Sequence, residues 1–422
     1  MPERSPRRLL IYSHDSFGLG HLRRCRSIAQ SLIARDPGLS VRILSGLPLV
    51  ARFEFDPRIH ITLVPAIIKQ KSGDYRAVAP DQDLSDAIEA RARIIRDTAE
   101  AYKPSLMLVD KEPLGIRGEM LPTLQFLKER GVPIILGLRD VMDEPARLSQ
   151  EWVRKQSAEA VESFYDELWI YGLPQIYDPL LGVDLSDAVR SRIVYTSYLR
   201  RNEAIPGPRS AVGSAAERPF LLITPGGGGD GEDMVDWVLS ARETVARRRL
   251  EPLPPMKIVC GPFMSAKRRA EFERRAARLP DVTFADFSPN LESLLAMAAG
   301  VVAMGGYNTF CEILSYDRPA LIVPRTEPRL EQAIRAELAA ALGLIAALSD
   351  DGVRDPMAMV DALRALTRQP RPSSVTIPGL LDGHEAIARR VDHWLLKQAT
   401  SDRRGSAEYR AAIAASDACP VL

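Results

Sequence analysis

Val301-Val302-Ala303-Met304-Gly305-Gly306-Tyr307-Asn308-Thr309-Phe310-Cys311-Glu312 runs from an apolar strand through a glycine turn into a helix, and its reading decides the fold. The same layout occurs twice more. Leu10–Ser13 leads into His14-Asp15-Ser16-Phe17-Gly18-Leu19-Gly20 and a helix from about His21, and Leu221–Thr224 leads into Pro225-Gly226-Gly227-Gly228-Gly229-Asp230-Gly231. Glycine admits positive φ and lets the backbone approach a ligand closely. The first N–H groups of a following helix have no intrahelical partner, and the helix dipole adds positive potential there, which suits an anion. One such loop is an ordinary turn. Three of them at strand ends, one with four consecutive glycines, predict phosphate or diphosphate binding. None reads GxxxxGK[ST], and Arg23 stands where a GxGxxG loop needs its third glycine, so neither an ATPase nor a dinucleotide oxidoreductase is expected.

Working outward, short runs that are apolar on all sides alternate with helical patterns. In the first half, strands are expected at Val41–Leu44, Ile61–Val64, Leu106–Val109, Pro133–Leu138 and Glu167–Tyr171. Helices are expected at Leu84–Tyr102, Gly118–Arg130 and Trp152–Phe164. This is the pattern of parallel strands covered on both faces, hence a doubly wound α/β fold. Residues 200–219 are rich in Pro, Gly, Ser and charge and lack periodicity, which marks a linker. The pattern then restarts. The expected organisation is an α/β N-terminal Rossmann-like domain over 1–199, a linker over 200–219, a second Rossmann-like domain over 220–398, and a loosely held tail over 399–422. The length of 422 residues fits two domains of the usual size, about 100–200 residues each.

Composition narrows the function. A net charge of +1 gives no footprint for nucleic acid, so no nucleic-acid partner is expected. Four cysteines, none in a CxxC pair, fit neither a zinc site nor a disulfide framework. The apolar run near the start, Leu9–Tyr12, is too short for a signal-peptide core. The expected location is the cytoplasm, with peripheral contact at the inner face of a membrane left open.

Several side chains stand at places where chemistry is expected. His21 begins a helix, where the dipole disfavours its cation, so it suits a general base; the plain alternative is a capping histidine. Glu312, one turn into the helix after the third loop, is a candidate to accept bonds from a ribose diol; a surface or capping Glu is the plain alternative. Glu331 and Gln332 open another helix, within reach of a ligand's hydroxyls. Asp110, Glu112, Arg139 and Asp140 end two strands of the first half and are candidates for lining the acceptor side of a cleft, beside Gly18, Gly20 and Arg24; charges in a solvated loop are the alternative.

The segment 304–312, with Arg318-Pro319-Ala320-Leu321-Ile322-Val323-Pro324 and Glu331-Gln332, resembles the C-terminal signature of family 28 glycosyltransferases. That resemblance implies a GT-B fold, acceptor on the first domain and nucleotide sugar on the second, without a metal or further cofactor. It implies that Gly305, Gly306, Asn308 and Thr309 face the diphosphate, that Glu312 binds the ribose, and that Glu331 and Gln332 contact the sugar. Gly226, Gly227, Gly228 and Gly229 take the place of the family's second glycine loop. The family has Gln where Glu331 stands, so the sugar is left undefined. Over nearly its whole length the chain also resembles a bacterial group known only as predicted glycosyltransferases, in segments such as Gly18–Arg24, Val109–Gly115, Gly137–Asp143 and Thr196–Arg200. Gly18-Leu19-Gly20-His21-Leu22-Arg23-Arg24-Cys25 is similar to the GxGHxxRC segment of the UDP-sugar hydrolase of pseudaminic acid synthesis, in which the His activates water. Retaining GT-B enzymes often carry E-x7-E; Met304 stands where the first acid would be, which favours inversion.

The expectation is therefore an inverting glycosyltransferase, hexosyl or N-acetylhexosaminyl, that takes a nucleoside-diphosphate sugar, UDP-linked by preference, to a sugar or lipid-linked hydroxyl. The alternatives are a UDP-sugar hydrolase, a non-catalytic nucleotide-sugar binder and a C2-epimerase.

Overall fold

The computed structural model describes residues 7–15, 19–69, 74–79, 81–201, 218–226, 229–285 and 291–398. Gly18, Gly227, Gly228, nearly all of the expected linker and the expected tail lie outside these residues.

The strands are β1 (Arg7–Tyr12), β2 (Leu39–Ser45), β3 (Ile59–Leu63), the hairpin pair β4 (Ile67–Lys69) and β5 (Tyr75–Ala77), β6 (Leu106–Asp110), β7 (Ile134–Arg139), β8 (Glu167–Tyr171) and β9 (Ile193–Tyr195) in the first half. In the second they are β10 (Leu221–Thr224), β11 (Met256–Val259), β12 (Val282–Ala285), β13 (Gly300–Ala303), β14 (Ala320–Ile322) and β15 (Ala346–Ala347). The helices are α1 (Gly20–Arg35), α2 (Leu84–Tyr102), α3 (Leu121–Glu129), α4 (Pro145–Arg154), α5 (Ser157–Phe164), α6 (Asp187–Arg190), α7 (Glu232–Arg248), α8 (Ala266–Ala276), α9 (Leu291–Met297), α10 (Tyr307–Ser315), α11 (Glu331–Ala341) and α12 (Pro356–Leu366), followed by α13 over residues 383–398.

Two parallel sheets result, each wrapped by helices. The first has the order β3-β2-β1-β6-β7-β8-β9 and the second β12-β11-β10-β13-β14-β15. β6, β8, β10 and β13 are buried along their whole length, as strands with helices on both faces must be. Strand order reverses between β1 and β6 in one sheet and between β10 and β13 in the other. In open α/β sheets the helices on either side of such a switch point diverge and leave a crevice at the carboxyl ends of the strands. The first glycine loop follows β1; the second and third follow β10 and β13. All three therefore flank a switch point.

Backbone geometry holds the turns. Gly305 has φ 78, and a Cβ there would sit 2.7 Å from Ile322 Cγ2 on β14. An L-residue would be strained at this φ and would press on the Ile322 side chain. Gly226 has φ 88 and open space around it.

Three details differ from the sequence expectation. The single helix expected over Trp152–Phe164 is two, because Gln156 takes φ 53 and breaks the ladder between α4 and α5. The hairpin β4–β5 and the short edge strands β9 and β15 were not expected. Finally α13, expected to close the second domain, packs on the first: Arg390 pairs with Glu167 of β8, and His384 meets Ser27 of α1 at 3.0 Å. Its apolar face (Ile387, Ala388, Val391) needs cover, and β8 and α1 offer the apolar surface that supplies it.

Candidate active site between the two sheets

His21 is the second residue of α1, directly beyond the end of β1. Its Nδ1 is hydrogen-bonded to Asp110 Oδ2 at the end of the neighbouring strand β6. The dyad thus straddles the switch point of the first sheet. Asp110 also takes three bonds from Arg24, from Nε at 2.8 Å to Oδ1 and from Nη2 at 2.7 Å to Oδ1 and 2.8 Å to Oδ2. Arg24 and Asp110 are both buried, so this bidentate pair is hardly screened by water. Asp110 and Arg24 therefore do not line the cleft as free acceptor-side charges. They hold the imidazole, because the strand end is too deep for an unpaired carboxylate. With Asp110 accepting at Nδ1, the ring proton belongs there and Nε2 carries the lone pair.

His21 keeps 14% of its side-chain exposure, against 2% for Asp110. Burial pushes the imidazole pKa down, to about 4, with Arg24 and Lys111 acting the same way and Asp110 against. The ring is then neutral, the form a base requires. Because its folded value lies below the ordinary value of about 6.5, the base is present above roughly pH 4 and lost as pH falls through it. The acid limb of kcat/KM is expected near pH 4; a limb near 6.5 in the pH–rate profile would show that the ring is not desolvated during turnover. The same shift makes this residue's contribution to stability fall as pH drops below 6.5.

His14 lies edge-on to His21, ring centroids 5.6 Å apart, and its buried Nε2 meets no partner among the described residues. Burial keeps it neutral also. Beneath it Tyr12 donates to Glu119 at 2.5 Å, and Arg91 donates to Glu119 and, at 2.7 Å, to the Pro65 carbonyl. This wholly buried network fixes the end of β1.

Across the seam, α7 and α10 both begin at a glycine, Gly231 and Gly306, and neither has a side-chain cap. No capping side chain therefore meets their first N–H groups. Glu312 on α10 is 1% exposed. Its Oε1 is held by Arg23 of α1 in the opposite domain, while its buried Oε2 meets no partner among the described residues. The arginine that spoils the dinucleotide motif thus has a use of its own. Burial pushes the Glu312 carboxyl up and Arg23 opposes this. Asn308 Nδ2 donates to the Gly20 carbonyl at 2.8 Å and its Oδ1 accepts from Arg201 at 2.6 Å, so Asn308 serves the seam rather than an open diphosphate site. Thr309 follows it in the first turn and is partly exposed.

Glu331 and Gln332 open α11. Arg325 Nη2 donates to Glu331 Oε1 at 2.7 Å and the Arg325 N–H donates to Gln332 Oε1 at 3.2 Å. Arg325 Nε also pairs with Asp230 at 2.6 Å, so one guanidinium ties the second glycine loop to the start of α11. Gly226 and Gly229 flank this loop; a Cβ on Gly229 would meet the Phe263 carbonyl at 3.0 Å.

Two expected acceptor-side residues have other duties. Asp140 is buried and forms a two-pronged pair with Arg335 of α11, at 2.8 Å (Nε to Oδ2) and 2.6 Å (Nη2 to Oδ1). Arg335 Nη1 also donates to the Gly305 carbonyl at 3.0 Å, so this side chain joins the third glycine turn to the first domain. Glu112 is bridged by Lys111 at 3.3 Å and Lys155 at 2.8 Å. Beside it lies a small cleft, about 280 Å³ of empty space, walled by Lys111, Glu112, Trp152, Lys155 and Arg329. Arg139 ends β7, and its side chain makes no hydrogen bond to any described residue; its Nε is buried. Arg23, Arg335, His14 and Lys111 were missed in the sequence as site residues. The lysine and the two arginines lack any local signal of a role, whereas His14 stood inside the quoted loop.

Aromatic packing closes the seam. Tyr307 of α10 stacks on Tyr198 at 6.1 Å, with Arg24 on one side of its ring and Arg335 on another.

The chain matches no protein-family model and no curated protein. It does match solved structures over almost its full length. The glycotransferase of kitacinnamycin aligns with a TM-score of 0.56 and 16% identity over 95% of this chain and 99% of that one. MurG of Acinetobacter baumannii aligns with 0.55 and 14% over 92% and 100%. A UDP-N-acetylglucosamine 2-epimerase aligns with 0.57 and 11% over 93% and 96%. At such identities the likeness is one of fold: two Rossmann-like domains facing each other, the GT-B arrangement.

Proposed function

We propose that the protein is a glycosyltransferase that moves a hexose or N-acetylhexosamine from a nucleoside-diphosphate sugar, UDP-linked by preference, to a hydroxyl, with inversion and without a metal. The observation that supports this most is the position of the His21–Asp110 dyad, its imidazole neutral, at one switch point, opposite two uncapped helix starts at the other. In this reading His21 Nε2 takes the acceptor hydroxyl proton as that oxygen attacks the anomeric carbon. The bond to the diphosphate breaks, and its electron pair goes to the leaving oxygen. Backbone N–H groups at Gly305–Thr309, with the Thr309 hydroxyl, meet the charge that grows there. Asp110 stabilises the imidazolium. Glu312 Oε2 accepts from the ribose hydroxyls.

Donor entry requires the cross-domain bonds at Glu312 and Asn308 to part. Glu312→Ala is expected to weaken UDP binding about 10-fold or more, the size of one lost charge-assisted hydrogen bond, with the fold retained. Arg23→Ala is expected to act in the opposite sense, by freeing the carboxylate of its competitor. Calorimetric titration with UDP checks both, and equal affinities in all three proteins would remove Glu312 from the donor site. A thermal-shift series with UDP, GDP, TDP and their sugars identifies the donor class, since a ligand of the native state raises its apparent stability.

Hydrolysis is the second reading, favoured by one feature: the GxGHxxRC residues His21 and Arg24 both converge on Asp110, an arrangement that would activate water equally well. Incubation with UDP-sugars and no acceptor separates the two. Rapid, complete release of free sugar means hydrolysis; a changed epimer means epimerisation; binding with no turnover of any donor means a sensor.

A further inference from the structure

Among the described residues, six cations lie at the ends of β6 and β7 or face them from across the seam. Five are paired: Arg24 with Asp110, Arg335 with Asp140, Lys111 and Lys155 with Glu112, and Arg329 with Glu151 and Asp143. Arg139 is the sixth. Its buried Nε has no acceptor among the described residues, and its guanidinium forms no ion pair with them. The carboxylate that most offsets it is Glu331, whose Oε1 is already taken by Arg325.

A guanidinium in this position cannot relieve itself by losing its proton near neutrality. Burial, with Arg24, Arg335 and Arg329 around it, lowers its pKa only to about 10. The side chain is half-buried, with Nε shut off from water and without an acceptor and no carboxylate of the described residues bonded to the guanidinium. A cation held so among other cations suits a site that receives an anion. Next to it, Lys111 occupies the left-handed region at φ 73, a conformation that costs a non-glycine residue about 1–3 kcal/mol and tends to occur at functional sites. The Lys111 N–H bonds the Gly137 carbonyl on β7 at 2.8 Å, which fixes the two strand ends together. Lys111 also acts electrostatically on both His21 and His14, so this positive corner adjoins the proposed base.

We infer that Arg139, with Lys111 beside it, binds an oxyanion carried by the acceptor, a carboxylate or a phosphate, and so orients the acceptor hydroxyl towards His21. The planar fork of arginine matches either group through two parallel hydrogen bonds. The inference rests on the transfer reading for the word acceptor, but the anion site itself does not.

The test is calorimetric titration of the parent protein, Arg139→Gln and Arg139→Lys with glucose 6-phosphate, glucuronate and methyl glucoside, each with and without saturating UDP. The parent is expected to prefer one of the two anionic sugars over the neutral one by about 10- to 100-fold, the size of one or two charge-assisted hydrogen bonds. Which sugar is preferred tells phosphate from carboxylate. R139Q should abolish the preference and R139K keep part of it. The unfolding midpoint of R139Q should be unchanged, since the side chain forms no ion pair or hydrogen bond with the described residues; a merely structural arginine would lower it. No preference in the parent, or the same preference in R139Q, overturns the inference. So does weaker UDP binding by R139Q with the preference intact, which would assign the guanidinium to the donor diphosphate. An anion preference without any UDP binding would keep the site and refute the transferase reading.

Discussion

Replacing His21 with alanine is expected to lower turnover by about 10²–10⁴, the usual contribution of a positioned general base, while UDP affinity stays that of the parent. The split follows from placement. His21 stands on α1 of the first domain, and the proposed donor contacts stand on α7, α10 and α11 of the second. Asp110→Asn should cost nearly as much by a different route. An amide presents either end to Nδ1, so the ring is no longer held in the tautomer that leaves Nε2 free; in the Ser-His-Asp triad the matching change costs about 10⁴. Arg24 would then lose a bidentate partner inside the protein, so a thermal midpoint must accompany the rate. Single-turnover assays with the donor identified by thermal shift decide it. Full activity of a folded His21→Ala protein ends the assignment.

Asp140→Ala is expected to cost about 3–5 kcal/mol of the closed form, because it leaves Arg335 buried and uncompensated. Both side chains are only 2% exposed, so water cannot take over. The loss should be localised. Arg335 also bonds the Gly305 carbonyl, so protection from hydrogen exchange should fall at the third glycine turn and along the seam, before either sheet is affected. Hydrogen exchange is the better measurement, since two domains do not guarantee a two-state transition. Replacing both partners with apolar side chains, Asp140→Leu with Arg335→Met, should restore most of the stability, as a buried pair is worth little against a packed pair. If Asp140→Ala alone left exchange at the seam unchanged, the two domains would have to be held by something else.

The fold was largely legible because parallel strands covered on both faces announce themselves as short apolar runs. Leu84–Tyr102 and Glu167–Tyr171 have the bounds read from sequence. The hairpin β4–β5 and the two-residue β15 were not legible, since two or three residues carry no period. The break at Gln156 was hidden by an unbroken helical pattern on both sides. The site was legible in position and not in partnership. His21 and Glu312 were picked out by the loops before them, but the partner of His21 lies 89 residues away and that of Glu312 lies 289 away. Pairing over such distances is set by how the domains dock, which no local pattern encodes. The same reason misplaced α13: its amphipathic face says that it packs, not on which sheet.

The return of α13 has a mechanical consequence. The polypeptide passes between the halves twice, and the two passages are clasped to each other: the Gly383 N–H donates to the Tyr198 carbonyl at 3.1 Å and Leu199 bridges Asp382. A side chain on Gly383 would collide with that carbonyl at 2.6 Å, so the clasp is tight. Two adjacent tethers resist sliding and twisting but yield to rotation about the line that joins them. Where the halves part, the movement that costs least is a swing like that of a book's covers, with Tyr198 and Gly383 in the spine and the free edge travelling farthest.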